Sequence, residues 1–119
     1  MSQPTMILIT LLGNEVAPRF DLATEVLMVV INEQGEVQDE KTVVLPHPSA
    51  EDLCHLILVE NVNVLICGGI EDEFFQYLTW KKIKVIDSVM GPWQAVLERL
   101  QSGHLHAGMI LYQVKKASD

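Results

Sequence analysis

The sequence predicts a single mixed α/β domain with elements in the order βββαβαβα, and a five-stranded mixed sheet with strands in the spatial order 3-2-1-4-5. Three observations carry this. Two nearly all-apolar segments, residues 6–12 and 25–31, each stop at turn-forming residues. From Ser49 the apolar period lengthens from two residues to about 3.6. Beyond that point, helical stretches alternate with short apolar strands, the pattern of crossover units.

The first strand, residues 6–12, is apolar on both faces except at Thr10 and ends at Gly13-Asn14, which suits the centre of the sheet. Residues 25–31 repeat that character, and Asn32-Glu33-Gln34-Gly35 turns the chain back alongside. The third strand, residues 36–45, carries Gln38, Asp39, Glu40 and Lys41, as expected of a charged, solvated edge. Pro46-His47-Pro48 then breaks the ladder. Ser49 can cap a first helix, with Glu51 and Asp52 at its positive end and Leu53, Leu56 and Ile57 as its buried stripe. Residues 62–67 form a buried fourth strand ending at Gly68-Gly69, and Ile70, Phe74, Tyr77 and Leu78 give the second helix its spacing. A short strand over residues 83–86 follows. Pro92 falls in the first turn of a third helix, with Trp93, Val96, Leu97 and Leu100 on one face and Gly103 as its stop. The ordered core is expected over about 6–104, while 105–119 shows no clear period and its polar end is expected to fray.

Composition narrows the function. The chain has 119 residues, 49% of them apolar, enough for one core and one domain. Sixteen acidic against eight basic residues give a net charge of −8, which opposes nucleic acids and anionic membranes as partners. Cys54 and Cys67 both lie in apolar runs and read as reduced thiols, not as a secreted disulfide framework. No apolar run approaches the roughly 20 residues that cross a bilayer, and no basic segment precedes the first strand. The expectation is a soluble cytoplasmic protein.

The predicted strand order brings four segments to one rim: residues 13–20, 46–48, 67–72 and 87–91. In open α/β sheets that rim is the usual ligand crevice.

The run Glu15-Val16-Ala17-Pro18-Arg19-Phe20-Asp21-Leu22-Ala23 before an apolar strand resembles the opening signature of the dinitrogenase iron-molybdenum cofactor biosynthesis family. The resemblance continues through Cys67-Gly68-Gly69-Ile70, Ile83-Lys84-Val85, Val89-Met90-Gly91 and a helix closing at Ser102-Gly103, in that order over about residues 6–104. It implies an RNase H-like α/β fold and a protein that binds, carries or delivers molybdenum- or iron-containing sulfide clusters. Arg19-Phe20-Asp21 stands where branches tied to nitrogenase cofactor handling commonly have His-Phe-Gly. Arginine before phenylalanine resembles a branch that includes noncovalent carriers of mixed molybdenum-copper sulfide clusters.

Each rim residue has two readings. The stretch of roughly ten residues after the first strand exceeds an economical hairpin connection, so it reads as a binding loop or a surface excursion. Arg19 can attract an anionic thiometallate or pair with Asp21, and Phe20 can face the ligand or plug the core. Gly68 and Gly69, with Ile70 following, can present backbone N–H groups to an anion or make a tight turn. Gly91 offers a second helix-start approach or a cap. Cys67 is a soft metal ligand or a core side chain, and His47 a rim imidazole or an exposed loop residue. His104 and His106 share one side of an extended segment but do not fill a metal site alone.

The function expected from these readings is a noncatalytic carrier of a labile metal–sulfur cluster of molybdenum-copper or iron-molybdenum type. Cluster donor or acceptor proteins are its expected partners, and self-association is possible. A regulatory or scaffold domain without a cluster is the alternative. Nuclease chemistry, which in RNase H folds needs several carboxylates around two metal ions, is not expected because the strand interiors are apolar.

Overall fold

The sheet is centred where the sequence is most uniformly apolar. The computed structural model of the protein describes residues 3–112. In it β1 (Thr5–Leu12) runs through the middle of the sheet, with Ile7, Leu8 and Ile9 at most 1% exposed. A two-residue strand, β2 (Glu15–Val16), folds straight back on the end of β1. A 3₁₀ turn (Phe20–Leu22) follows, then β3 (Glu25–Ile31) and β4 (Val37–Val44). Then come α1 (Ala50–Val59), β5 (Val64–Ile66), α2 (Asp72–Trp80), β6 (Lys84–Ile86) and α3 (Trp93–Gln101).

The five main strands lie in the order β4-β3-β1-β5-β6, with β2 beside β1 off that path. β3 is antiparallel to both its neighbours, whereas β1, β5 and β6 are parallel, so the mixed α/β class and crossover pattern hold. The sixth strand, β2, is the addition. It is too short to carry a hydrophobic period, and its pairing with Leu11 and Leu12, with a bridge from Glu15 to Pro92 on the other side, defines it.

Side-chain alternation gives the sheet two buried faces. Leu8, Val26, Met28, Leu65 and Cys67 pack with Leu53 and Ile57 of α1 and Leu78 of α2. Ile7, Ile9, Leu27, Val29 and Ile66 pack with Val96 and Leu97 of α3. The result is three layers, helix on sheet on helix. β4 is exposed along nearly its whole length, as its charges require of an edge.

Local chemistry explains the boundaries. Asn32 Oδ1 accepts from the Gln34 and Glu36 amides, closing the β3–β4 hairpin around Gly35. Ser49 Oγ accepts the Asp52 N–H at 3.1 Å and caps α1. Pro92 sits one position before the first residue of α3 rather than inside its first turn. At the other end of α3 the Gly103 and His104 amides donate to the Leu100 and Arg99 carbonyls, a Schellman stop.

Beyond α3 the chain has no repeating pattern because single contacts hold it. The Gly108 amide donates to the Asp87 carbonyl, and Met90 and Ile110 form a parallel bridge. The segment up to Tyr112 thereby becomes a wall beside residues 87–91. The fraying expected of the polar end falls on residues 113–119, outside the described residues.

Replacing Ser49 by Ala removes the α1 cap and should lower stability by about 1 kcal/mol, read as a lower urea midpoint at unchanged m-value. Ser49→Asp should keep most of it.

Candidate functional site

The rim is assembled from four segments, three of them expected. After β1, Gly13 (φ +62°) and Asn14 turn the chain into β2, and the Ala17 amide donates to the Thr10 carbonyl at 2.8 Å. The extra length between β1 and β3 therefore goes into a built cover, in place of an open loop. Ala17 and Pro18 cross directly over Gly68, where a Cβ atom would lie 2.3 Å from the Ala17 carbonyl oxygen. Only glycine permits that crossing. The Gly69 N–H then donates to the Pro18 carbonyl at 2.7 Å, and the Phe20 N–H to the Gly69 carbonyl at 2.8 Å.

Residues 87–92 lock onto the same cover. The Ser88 amide donates to the Gly68 carbonyl and the Val89 amide to the Cys67 carbonyl. The Val16 amide donates to the Gly91 carbonyl, and the Trp93 amide to the Asn14 carbonyl. Gly91 is buried at φ +135°, a value that favours glycine, and a Cβ there would press on Leu111 at 3.0 Å. The fourth segment closes through Tyr112, whose hydroxyl donates to Glu15 Oε1 at 2.9 Å. That hydrogen bond raises the phenol pKa above its usual value.

Two adjoining hollows lie at this rim. One, of about 230 Å³, is lined by Leu11, Leu12, Ala17, Pro18, Leu22 and Arg19 among others. A smaller one of about 70 Å³, lined by Glu15, Val16, Met90 and Tyr112, adjoins it across Leu12 and Pro18, which line both; this pair of hollows is the trough. Leu12, Leu22, Met90 and Tyr112 leave large apolar surface exposed along it. Sequence reasoning did not single out these four as a set, because their meeting depends on contacts remote along the chain.

The expected site residues divide into three groups. Arg19 and Gly69 are neighbours across a bridge, and Gly68 lies beneath them. Arg19 holds Asp21 in a two-point pair, Nη2 to Oδ2 at 2.6 Å and Nε to Oδ1 at 3.0 Å. A guanidinium has five N–H donors, so three remain for a ligand, and the Arg19 side chain is 58% exposed. Gly69 offers no anion cradle through its amide, since Pro18 takes that N–H. The carboxylates of Asp72 and Glu73 already occupy the first turn of α2.

Phe20, Cys67 and Ile70 face inward. Phe20 is fully buried against Phe74, with ring centroids 6.3 Å apart, so it plugs the core and does not line the trough. Ile70 packs against the same core. Cys67 is wholly enclosed, and burial, with Asp87 adding to it, raises its thiol pKa. A neutral enclosed thiol is a poor metal ligand, so in this conformation Cys67 packs. In β1 the Thr10 hydroxyl is buried without a hydrogen-bond partner.

His47, His104 and His106 are elsewhere. His47 Nε2 lies 3.7 Å from Asp52 Oδ2 at the start of α1, and His47 lines neither hollow. His104 Nδ1 meets Ser102 Oγ and His106 Nδ1 meets the Ala107 carbonyl, so the two imidazoles have separate partners. Among the described residues no group of three or more His, Cys, Asp or Glu could hold a metal ion. No helix among them is long and apolar enough to cross a membrane.

An α/β domain with an apolar trough at the carboxyl rim of its parallel strands, edged by one arginine, is the class of protein this geometry defines. The chain belongs to the dinitrogenase iron-molybdenum cofactor family, which matches it over residues 6–103. No curated protein matches the sequence. Among solved structures the fold is similar to that of PH0822, with a TM-score of 0.78, 20% identity, and 87% of this chain and 94% of that one covered. It is also similar to a candidate dinitrogenase from Methanocaldococcus jannaschii, with a TM-score of 0.71, 23% identity and coverage of 87% and 94%. A candidate NifB protein from Thermotoga gives a TM-score of 0.66 at 19% identity, covering 92% and 97%.

Two predictions follow from this geometry. Gly68→Ala forces a Cβ into backbone and should cost about 1–3 kcal/mol or more in urea unfolding. Gly69→Ala, whose Cβ would sit 3.5 Å from the Pro18 oxygen, should cost clearly less. The second concerns pH. Burial, with Glu51 adding to it, pushes Cys54 up to about 11, and Cys67 is raised as well, from an ordinary 9.0 for both. The unfolded chain thus releases thiol protons that the folded chain keeps. Stability contributed by both is full below about pH 9 and falls as pH rises towards 11. Urea midpoints across that window should show the fall, and Cys67→Ala should make it shallower.

Proposed function

We propose that the protein is a noncatalytic carrier that holds a molybdenum- or iron-containing metal–sulfur cluster as exchangeable cargo during cofactor assembly. Donor and acceptor proteins of the cluster are its partners in this reading. The observation that carries it is the apolar hollow lined within residues 11–24 with Arg19 at its edge, beside a smaller one that Met90 and Tyr112 help to line, in a chain of this family.

The donor set decides how cargo would be held. A cluster anchored by protein thiolates does not fit, because Cys67 is enclosed and protonated and Cys54 lines the groove between α1 and α2. A cluster recognised at its outer sulfides fits better. The three free Arg19 N–H groups supply charge-assisted hydrogen bonds, while Leu12, Pro18 and Leu22 supply apolar contact. Asp21 draws off part of the Arg19 charge, which weakens the hold and suits release.

The same ion pair favours a second reading. An arginine already neutralised by Asp21 in a chain of charge −8 has little left to attract an anion, as expected of a regulatory or scaffold domain without cargo.

Anaerobic mixing with tetrathiomolybdate and copper(I), followed by gel filtration, separates the two. Carriage predicts charge-transfer absorption co-eluting with the protein. It also predicts retention weakened about tenfold or more by Arg19→Ala, and tightened by Asp21→Asn, which removes the competing carboxylate. If neither this mixture nor an iron–sulfur donor leaves metal on the protein, the carrier reading fails and the scaffold reading takes its place.

A further inference from the structure

The end of the sheet opposite the trough carries a concentration of positive charge. α2 runs back from Asp72 beside the rim to Trp80, and Lys84 opens β6 next to Val64, the first residue of β5. Three of the chain's eight basic residues, Lys81, Lys82 and Lys84, fall within four positions, and all three are exposed. Among the described residues none of them forms a salt bridge, whereas Arg19 and Lys41 are paired with Asp21 and Glu60.

The same end exposes aromatic surface. Trp80 is 72% exposed, the highest value among the large hydrophobic side chains exposed on the described surface, and Tyr77 is 40% exposed beside it. Lys81 Nζ stands 5.0 Å from the Trp80 ring and 5.7 Å from the Tyr77 ring, which holds the indole in a cationic setting. The negative end of α2 accounts for Lys81 and Lys82. It does not account for Lys84 on β6, nor for an indole left in water.

We propose that this end is a docking surface for an acidic segment of a partner protein. A short run of Asp and Glu pairs with Lys82 and Lys84, and one apolar or aromatic side chain packs on Trp80. Tryptophan ringed by charge is the kind of residue that dominates protein interfaces. Complementarity selects a short segment over a nucleic acid, because three lysines on a −8 chain fall well short of the 6–10 phosphate contacts of a typical nucleic-acid site. The surface is independent of the trough, so an occupant here leaves Arg19 free.

The test is a nuclear magnetic resonance titration of the isotope-labelled full chain with a synthetic peptide of alternating Asp and Glu around one Phe. Expected are shifts at the Trp80 indole N–H and the Lys81, Lys82 and Lys84 amides, with Phe20 and Gly69 unmoved, weakening as salt rises. The double substitution Lys82→Glu with Lys84→Glu, and separately Trp80→Ala, should each weaken binding about tenfold or more. Should either fail to fold, Lys82→Gln with Lys84→Gln and the wild-type shift map decide. Absence of shifts at Trp80, or affinity unchanged in the variants, overturns the proposal. Tighter binding of an oligothymidylate overturns it in favour of nucleic acid. Self-association abolished by the same lysine substitutions overturns it in favour of a second copy.

Discussion

The crossing of Ala17 and Pro18 over Gly68 holds the carboxyl rim together. At that point two backbones approach more closely than any side chain would allow, and the exchange of hydrogen bonds among Pro18, Gly69 and Phe20 fastens them. Phe20 enters the core because of this crossing, and Arg19 is left at the surface for the same reason. The turn at residues 87–91 is tied to Gly68 and Cys67 from the other side. The trough is therefore a consequence of backbone packing, with its walls fixed before any occupant arrives.

That arrangement explains why residues placed at a common mouth by the strand order have such different surroundings. Neighbours along an extended chain alternate between faces, so Cys67 points into the layer of α1 and α2 although it directly follows β5 at the rim. Its thiol contributes packing in the conformation described. The groups that extend outward at the trough are the Arg19 guanidinium and the exposed side chains of Leu12 and Leu22. Because Asp21 shares the guanidinium, an anion approaching Arg19 would meet competition from an internal carboxylate.

Much of the fold was legible because it is locally encoded. The uniform apolarity of residues 6–12 marked the central strand, the charges of residues 38–41 marked the edge, and Ser49 and Gly103 marked helix ends. The site was legible only in part. Position along strands followed from topology, so Arg19 and the glycines were placed together, but whether Arg19 would turn to a ligand or to Asp21 is a choice between two equally available partners. β2 and the wall formed by residues 109–112 left no periodic trace, since each depends on a few backbone contacts to distant segments. The trough's exposed apolar side chains were hidden for the same reason.

The hydrogen bond from Tyr112 to Glu15 joins residues 97 positions apart, and α3 is bonded to the turn that follows β1. The larger hollow draws its whole lining from residues 11–24, whereas the smaller one also needs Met90 and Tyr112 from far along the chain. Unfastening Tyr112 from Glu15 would therefore strip a wall from the smaller hollow and leave the arginine-edged one its own lining.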